Sequence, residues 1–184
     1  MFKENYCVVG NAPSEVGKGN GEIIDACEQI FRFNNFVTSD DYQNDYGLST
    51  THWVTTFARD IKPKLQPYQV VCPLPLHIPK YLKRYSYTNV DKLRGHLGTA
   101  EFIPVEYFEE LLTIVPNPST GISLLFWMWK ELGTLDEDRV KGFTFFDKSQ
   151  KHHYFDEHKA CMHKGDLEKA LYLKMINGDT TKIL

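Results

Sequence analysis

Four of the seven histidines of this chain fall within twelve residues, in His152-His153-Tyr154-Phe155-Asp156-Glu157-His158 and Cys161-Met162-His163. An imidazole titrates near neutral pH, so it can take a proton from a hydroxyl nucleophile. Its N–H can also stabilise negative charge developing on a leaving group. Two other readings stand beside this one. Zinc would need ligands at paired spacings, whereas Cys161 and His163 alternate and no second cysteine pair exists. Solvated surface histidines are the third reading, and it suits His158.

Two further sets of residues suit binding. Gly10-Asn11 and Asn34-Asn35 combine small and amide side chains. Glycine lets a ligand approach the backbone, and a carboxamide both donates and accepts, which suits a base, a ribose or a phosphate. Pro118-Ser119-Thr120-Gly121 precedes an apolar run that starts at Ile122. A helix beginning there presents unpaired N–H groups and a positive dipole end, which can hold an anion. An ordinary N-cap is the simpler reading of that stretch by itself. Gly17, Gly19 and Gly21 look like a phosphate cradle but fit neither known pattern. Their G-x-G-x-G spacing is not the dinucleotide fingerprint, and Gly19 stands where a P-loop needs Ser or Thr. A flexible loop is the plain alternative.

These residues need elements to position them. Apolar runs bounded by turn residues predict strands at Tyr6–Val9, Ile30–Phe33, Thr51–Phe57, Tyr68–Cys72, Ala100–Ile103 and Arg139–Phe146. Helices are predicted at Glu22–Gln29, Val105–Leu112, Ile122–Leu132 and Asp166–Ile176, and a basic aromatic helix at His77–Tyr87. Ser39–Gly47 reads as loop. The alternation implies an α/β fold, a single Rossmann-like domain over residues 1–184 with a mostly parallel central sheet and helices on both faces. Ligands of such sheets bind outside the carboxyl ends of the strands. Gly10-Asn11, Asn34-Asn35 and His152-His153 all follow strand candidates, so they can meet at one cleft. Tyr81, Tyr85 and Tyr87, with Lys80, Lys83 and Arg84, could cover that cleft, although a solvated helix face explains them more simply.

The chain has 184 residues and a formal net charge of −3, which suits one domain and argues against a nucleic-acid partner. Cys7, Cys27, Cys72 and Cys161 are scattered, so reduced core thiols of a cytoplasmic protein are expected. The first residues lack the apolar run of a signal peptide, and the longest apolar run, near Ile122–Trp129, is too short for a transmembrane segment.

Several separated stretches resemble the eukaryotic-type sialyltransferases, glycosyltransferase family 29. Val8-Val9-Gly10-Asn11, Gly19-Asn20-Gly21-Glu22-Ile23-Ile24-Asp25, Phe31-Arg32-Phe33-Asn34 and Asp45-Tyr46-Gly47-Leu48-Ser49-Thr50-Thr51-His52 look like the family's large motif. Pro118-Ser119-Thr120-Gly121 looks like its small motif. Gly142-Phe143 followed by His152-His153-Tyr154-Phe155-Asp156 resembles the third, and His163-Lys164-Gly165-Asp166-Leu167-Glu168 the very small motif, His-x4-Glu. His152 and Glu157 satisfy that last spacing too; only its place after the third motif selects His163.

The resemblance implies a GT-A-variant enzyme that moves sialic acid from CMP-sialic acid to a hydroxyl of a glycan acceptor, with inversion and no metal or other cofactor. It implies that Gly10, Asn11, Asn34, Ser119, Thr120, Gly121, Gly142, His152 and Tyr154 bind the nucleotide sugar. It makes His153 the phosphate partner and His163 the general base, with Glu168 orienting or capping. The family's disulfide between large and small motifs is expected to be missing, because Tyr6 stands at the first cysteine's place and Ile122–Leu132 holds none. The alternatives are another nucleotide-sugar donor on the same fold, or a relative that binds nucleotide without turnover.

Overall fold

Strand β1 (Tyr6–Val9) is buried along its whole length, and its side chains divide between two cores. Tyr6 and Val8 join a large apolar cluster, whereas Cys7 and Val9 join a small one with Ile24, Cys27, Ile30 and Tyr46. A strand hidden on both faces belongs inside a parallel sheet covered by helices. The computed structural model describes residues 1–62, 64, 67–146, 153–155 and 163–178.

Within them the remaining strands are β2 (Gln29–Phe33), β3 (His52–Val54), β4 (Gln69–Cys72), β5 (Glu101–Phe102) and β6 (Val140–Lys141). The helices are α1 (Gly21–Asp25), α2 (Gln43–Tyr46), α3 (Pro79–Arg84), α4 (Val90–Arg94), α5 (Val105–Ile114), α6 (Thr120–Leu132) and α7 (Gly165–Ile176). The strands form one sheet in the order β5-β4-β3-β2-β1-β6, and every neighbouring pair is parallel. This is the Rossmann-like α/β class that the alternation of elements implies. The order steps outward from β1 to β5 and then returns to place β6 on the other side of β1. Such a reversal opens a crevice at the carboxyl ends of the two strands involved.

Helix α6 is the pillar of the large core. Ile122 to Met128 are buried without interruption, so this helix is enclosed rather than amphipathic. Phe108 and Leu111 of α5 and Leu171 and Met175 of α7 pack into the same cluster. Each such side chain contributes about 1.5–3 kcal/mol on leaving water. Ser119 caps α6 by accepting from the Ile122 N–H at 3.2 Å, and Gly133 ends it at φ 82°.

Four expectations need correction. The helix predicted over Glu22–Gln29 stops at Asp25, because Gln29 already pairs with Tyr6 in the sheet. Ser39–Gly47 is not loop throughout: a 3-10 turn at Asp40–Tyr42 leads into α2. The strand predicted over Thr51–Phe57 is only His52–Val54, and Phe57 takes a left-handed φ of 52°. The strand predicted over Arg139–Phe146 is only Val140–Lys141, since Gly142 turns away at φ 71°. In the basic aromatic helix, Tyr81 and Tyr85 point into the core and Lys80 pairs with Glu109 at 2.8 Å, so the solvated-face reading holds for its charges. Among the described residues no helix is long and apolar enough to cross a membrane.

Candidate active site

A cavity of about 310 Å³ lies at the carboxyl ends of β3, β2, β1 and β6, where the strand order reverses. Of the residues singled out from sequence, Gly10, Asn11, Asn34, Ser119, Thr120, Gly121, Gly142, His153 and His163 line it. Tyr154 does not, and His152 lies outside the described residues.

The cavity floor is backbone. Gly10 N–H donates to the Lys141 carbonyl at 2.8 Å, and Ala12 N–H donates to the Gly142 carbonyl at 3.0 Å. Beneath it, the buried carboxylate of Glu15 accepts from the Asn20 amide at 2.8 Å and from the Gly142 N–H at 3.3 Å. Burial pushes its pKa up, but bonds from Asn20, Gly142 and Ser14 and the charge of Lys18 outweigh that and hold it below the usual value.

The two asparagines have unequal freedom. Asn11 spends its amide N–H on the Phe33 carbonyl at 3.2 Å, which leaves its oxygen for a ligand. Asn34 follows β2 in the left-handed region at φ 49°, a conformation that asparagine tolerates. Its carboxamide oxygen is buried and has no hydrogen-bond partner among the described residues. A buried acceptor without a donor costs on the order of 1–3 kcal/mol, a cost carried at the edge of the cavity that Asn34 lines.

The glycine loop serves another purpose than a phosphate cradle. Gly17 N–H and Gly19 N–H donate at 2.7 and 2.9 Å to the two carboxylate oxygens of Asp45. Those bonds hold the Asp45 carboxyl below its usual range. The loop has its anion built in.

At the other wall, Ser119 is engaged twice. Its N–H and its hydroxyl donate to the two oxygens of Glu168 at 2.8 and 2.7 Å. Glu168 is 1% exposed, and burial pushes its pKa up against the opposing pull of Ser119 and His163. The first amides of α6, at Thr120 and Gly121, lack intrahelical acceptors by position, and both residues line the cavity. His163 places Nδ1 at 3.0 Å from the Asn117 carbonyl and stacks on Phe146 with ring centroids 5.1 Å apart. A carbonyl oxygen only accepts, so the neutral imidazole carries its proton on Nδ1 and its lone pair on Nε2.

Tyr154 acts as a mount for its neighbour. Its N–H donates to the Asn11 carbonyl at 2.8 Å, and its hydroxyl donates to the Val37 carbonyl. Its ring stacks on Tyr46 at 4.0 Å and meets Tyr42 edge-on. This anchors residues 153–155, so His153 borders the cavity while stacked on Phe155 at 5.0 Å.

Two features escaped the reading of the sequence. Thr56, Ala58, Asp60 and Ile61 form a rim after β3. The rule that selected the ends of β1 and β2 applies equally to β3 and would have found them. Phe145 and Phe146 line the cavity with left-handed backbone at φ 49° and 59°, a strained state that clusters at functional sites. Nothing in their residue type signals it. Among the described residues no group of three or more His, Cys, Asp or Glu is placed to hold a metal. Cys7, Cys27 and Cys72 are buried thiols.

No protein-family model matches the sequence, and no curated protein does. Solved structures do. One is a mammalian sialyltransferase, with a TM-score of 0.62 and 22% identity. Another is a mammalian sialyltransferase in complex with Gal-beta-1-3GalNAc-ortho-nitrophenol, with a TM-score of 0.58 and 20% identity. The chain spans 66% of the length of each, and each match covers 94% of this chain. Over 94% of its length, the fold of this chain is similar to that of these two mammalian sialyltransferase structures.

Proposed function

We propose that the protein is a glycosyltransferase that moves sialic acid from CMP-sialic acid to a hydroxyl of a glycan acceptor. The reading is supported above all by one juxtaposition. His163, with its lone pair on Nε2, borders the same cavity as His153, Asn34, and Thr120 and Gly121 at the start of α6. Asn11 and Asn34 hold the nucleoside, with Gly10 and Gly142 allowing close approach. Thr120 and Gly121 meet the phosphate at the positive end of α6, and His153 donates to it as the glycosidic bond breaks. His163 takes the acceptor's proton, and the acceptor oxygen attacks the anomeric carbon opposite the leaving CMP, which inverts its configuration. The two histidines cover both charge-bearing steps, so the route calls for no metal.

The test is transfer from CMP-sialic acid by wild type and by His163→Ala, with CMP binding followed by thermal shift against CDP, UDP and GDP. Transfer lost in a variant that CMP still stabilises supports the reading. Transfer at the wild-type rate in His163→Ala ends the assignment of the base.

One observation favours a second donor. No lysine or arginine is among the described residues that line the cavity, whereas Asp60 and Glu168 are. That wall offers little to the carboxylate of sialic acid and suits a neutral sugar better. Hydrolysis of a panel of nucleotide sugars separates the two readings.

A further inference from the structure

Charge is spread unevenly along this acidic chain. Residues 59–97 carry eight lysines and arginines against two acids, a net charge of +6, whereas the rest of the chain carries 13 against 22, a net charge of −9. The fold gathers much of that segment beside the cavity. Ala58 bridges Thr88, the Arg59 N–H donates to the Tyr87 carbonyl at 3.1 Å, and the Asn89 N–H donates to the Phe57 carbonyl at 2.7 Å. These bonds stitch the loop after β3 to the entry of α4. The same loop supplies Asp60 and Ile61 to the cavity rim.

Few of these cations meet an acid. Arg59 donates to the Ser86 carbonyl, Lys64 to Phe36, Arg84 to Pro116, and Lys92 to both Arg59 and Ile61. A carbonyl takes a hydrogen bond but leaves the positive charge standing. Among the described residues only Lys80 and Arg94 of the eight form ion pairs, with Glu109 and Asp91. Burial, and after it the neighbouring charge of Lys62, lower the pKa of Lys64, so these two cations stand close together. Apolar side chains are exposed among them. Tyr87, Val90 and Leu97 are 46%, 38% and 47% exposed, and they are three of the eight exposed large apolar residues described, gathered within eleven positions.

An acidic polymer asks for cations alone. A bilayer asks for cations that meet anionic headgroups and for apolar side chains that enter between them. We propose that the loop after β3, with α3 and α4, forms a docking surface for an anionic lipid bilayer. No described helix is long and apolar enough to cross it, so the contact made here is with the headgroup layer. Asp60 and Ile61 belong to a loop shared by this surface and the cavity rim, so docking sets the mouth of the cavity at the bilayer. On the transferase reading, the acceptor brought within reach is a glycan carried on lipid; the docking itself does not rest on that reading.

The test is co-sedimentation with vesicles of phosphatidylcholine alone and of phosphatidylcholine with phosphatidylglycerol. Wild type is expected to sediment with the anionic vesicles only, and to be released as salt rises. Lys62→Gln/Lys83→Gln is expected to bind roughly 30-fold more weakly, about fivefold for each cation removed. Lys169→Gln/Lys174→Gln, which removes the same charge from α7, is expected to bind as wild type. Leu97→Ser is expected to weaken binding severalfold and to leave the remainder more sensitive to salt. Circular dichroism and thermal melting check that each variant is folded. A wild type that ignores anionic vesicles overturns the proposal, as does an equal loss in the α7 variant or wild-type binding by Leu97→Ser. Heparin binding that Lys62→Gln/Lys83→Gln abolishes, with vesicles ignored, assigns the surface to an acidic polymer and also overturns it. A wild type that binds anionic vesicles yet transfers no sialic acid overturns the transferase reading and upholds this one.

Discussion

A β-carbon on Gly10 would stand 2.3 Å from the Gly142 carbonyl oxygen, and one on Gly142 would stand 2.4 Å from the Gly10 carbonyl oxygen. The ends of β1 and β6 touch backbone to backbone, and neither can carry a side chain without parting. Gly142 also holds φ 71°, which alanine resists. Gly10→Ala is expected to cost about 1–3 kcal/mol by overpacking, and Gly142→Ala more because strain adds to the clash. Urea midpoints measure both costs, and CMP-induced stabilisation should fall with them, since the cavity floor widens.

His52 gives the fold an acid sensitivity. It is buried and stacked on Phe31 at 4.3 Å, and burial lowers its pKa from 6.5 to about 4. A base whose folded pKa is depressed supports the fold above its unfolded pKa and weakens it as pH falls towards the folded value. Wild type should therefore lose about 2 kcal/mol between pH 7 and pH 5 from this group alone. Denaturation of His52→Phe at the two pH values should show most of that difference removed.

Arg32 is 1% exposed, and its guanidinium donates to the Tyr46 carbonyl, to Gly47 at 3.3 Å and to Ser49 at 3.0 Å. It ties β2 to the chain leaving α2. Arg32→Lys keeps the charge but cannot reach three diverging acceptors at once. Each buried carbonyl left unpaired costs on the order of 1–3 kcal/mol, so Arg32→Lys should melt well below wild type. Calorimetry checks this.

Tyr154 should matter to turnover only through His153. Tyr154→Ala removes the stack on Tyr46 and the bond to Val37, and so releases the mount. Its kcat should fall by on the order of 100-fold, as for loss of one oxyanion donor, and His153→Ala should match it. The double variant should add little, and steady-state rates of all four proteins test that non-additivity.

Legibility followed burial. β1, β2 and α6 are buried almost without break, so their apolar runs announce them. α2 is polar up to Tyr46 and stands because distant groups hold it: Gly17 and Gly19 donate to Asp45, and the Tyr46 hydroxyl donates to the Ala12 carbonyl at 2.7 Å. No local pattern encodes those partners. The same bonds explain why Gly17 to Gly21 resembles a phosphate loop in composition while its donors are taken. The strand predicted at β6 runs too far because Phe143, Phe145 and Phe146 look like strand residues. Their backbone leaves the sheet at Gly142 to line the cavity. At the site, the residue types of Asn11, Asn34 and His163 are readable, whereas the bonds from Ser119 to Glu168 depend on pairing across 49 positions.

The bond from Gly142 to Glu15 joins residues 127 positions apart, and Val8 pairs with Val140 over a separation as long. On the ribosome, the first two thirds of the chain can assemble β1 to β5 and still lack half the floor of the cavity. Ligand binding cannot ripen gradually during synthesis; it must arrive late, when β6 slides in beside β1. Long-range closures of this kind are slow. A nascent chain stalled before Val140 should leave β1 an open edge, a place where another chain can pair before its own strand arrives.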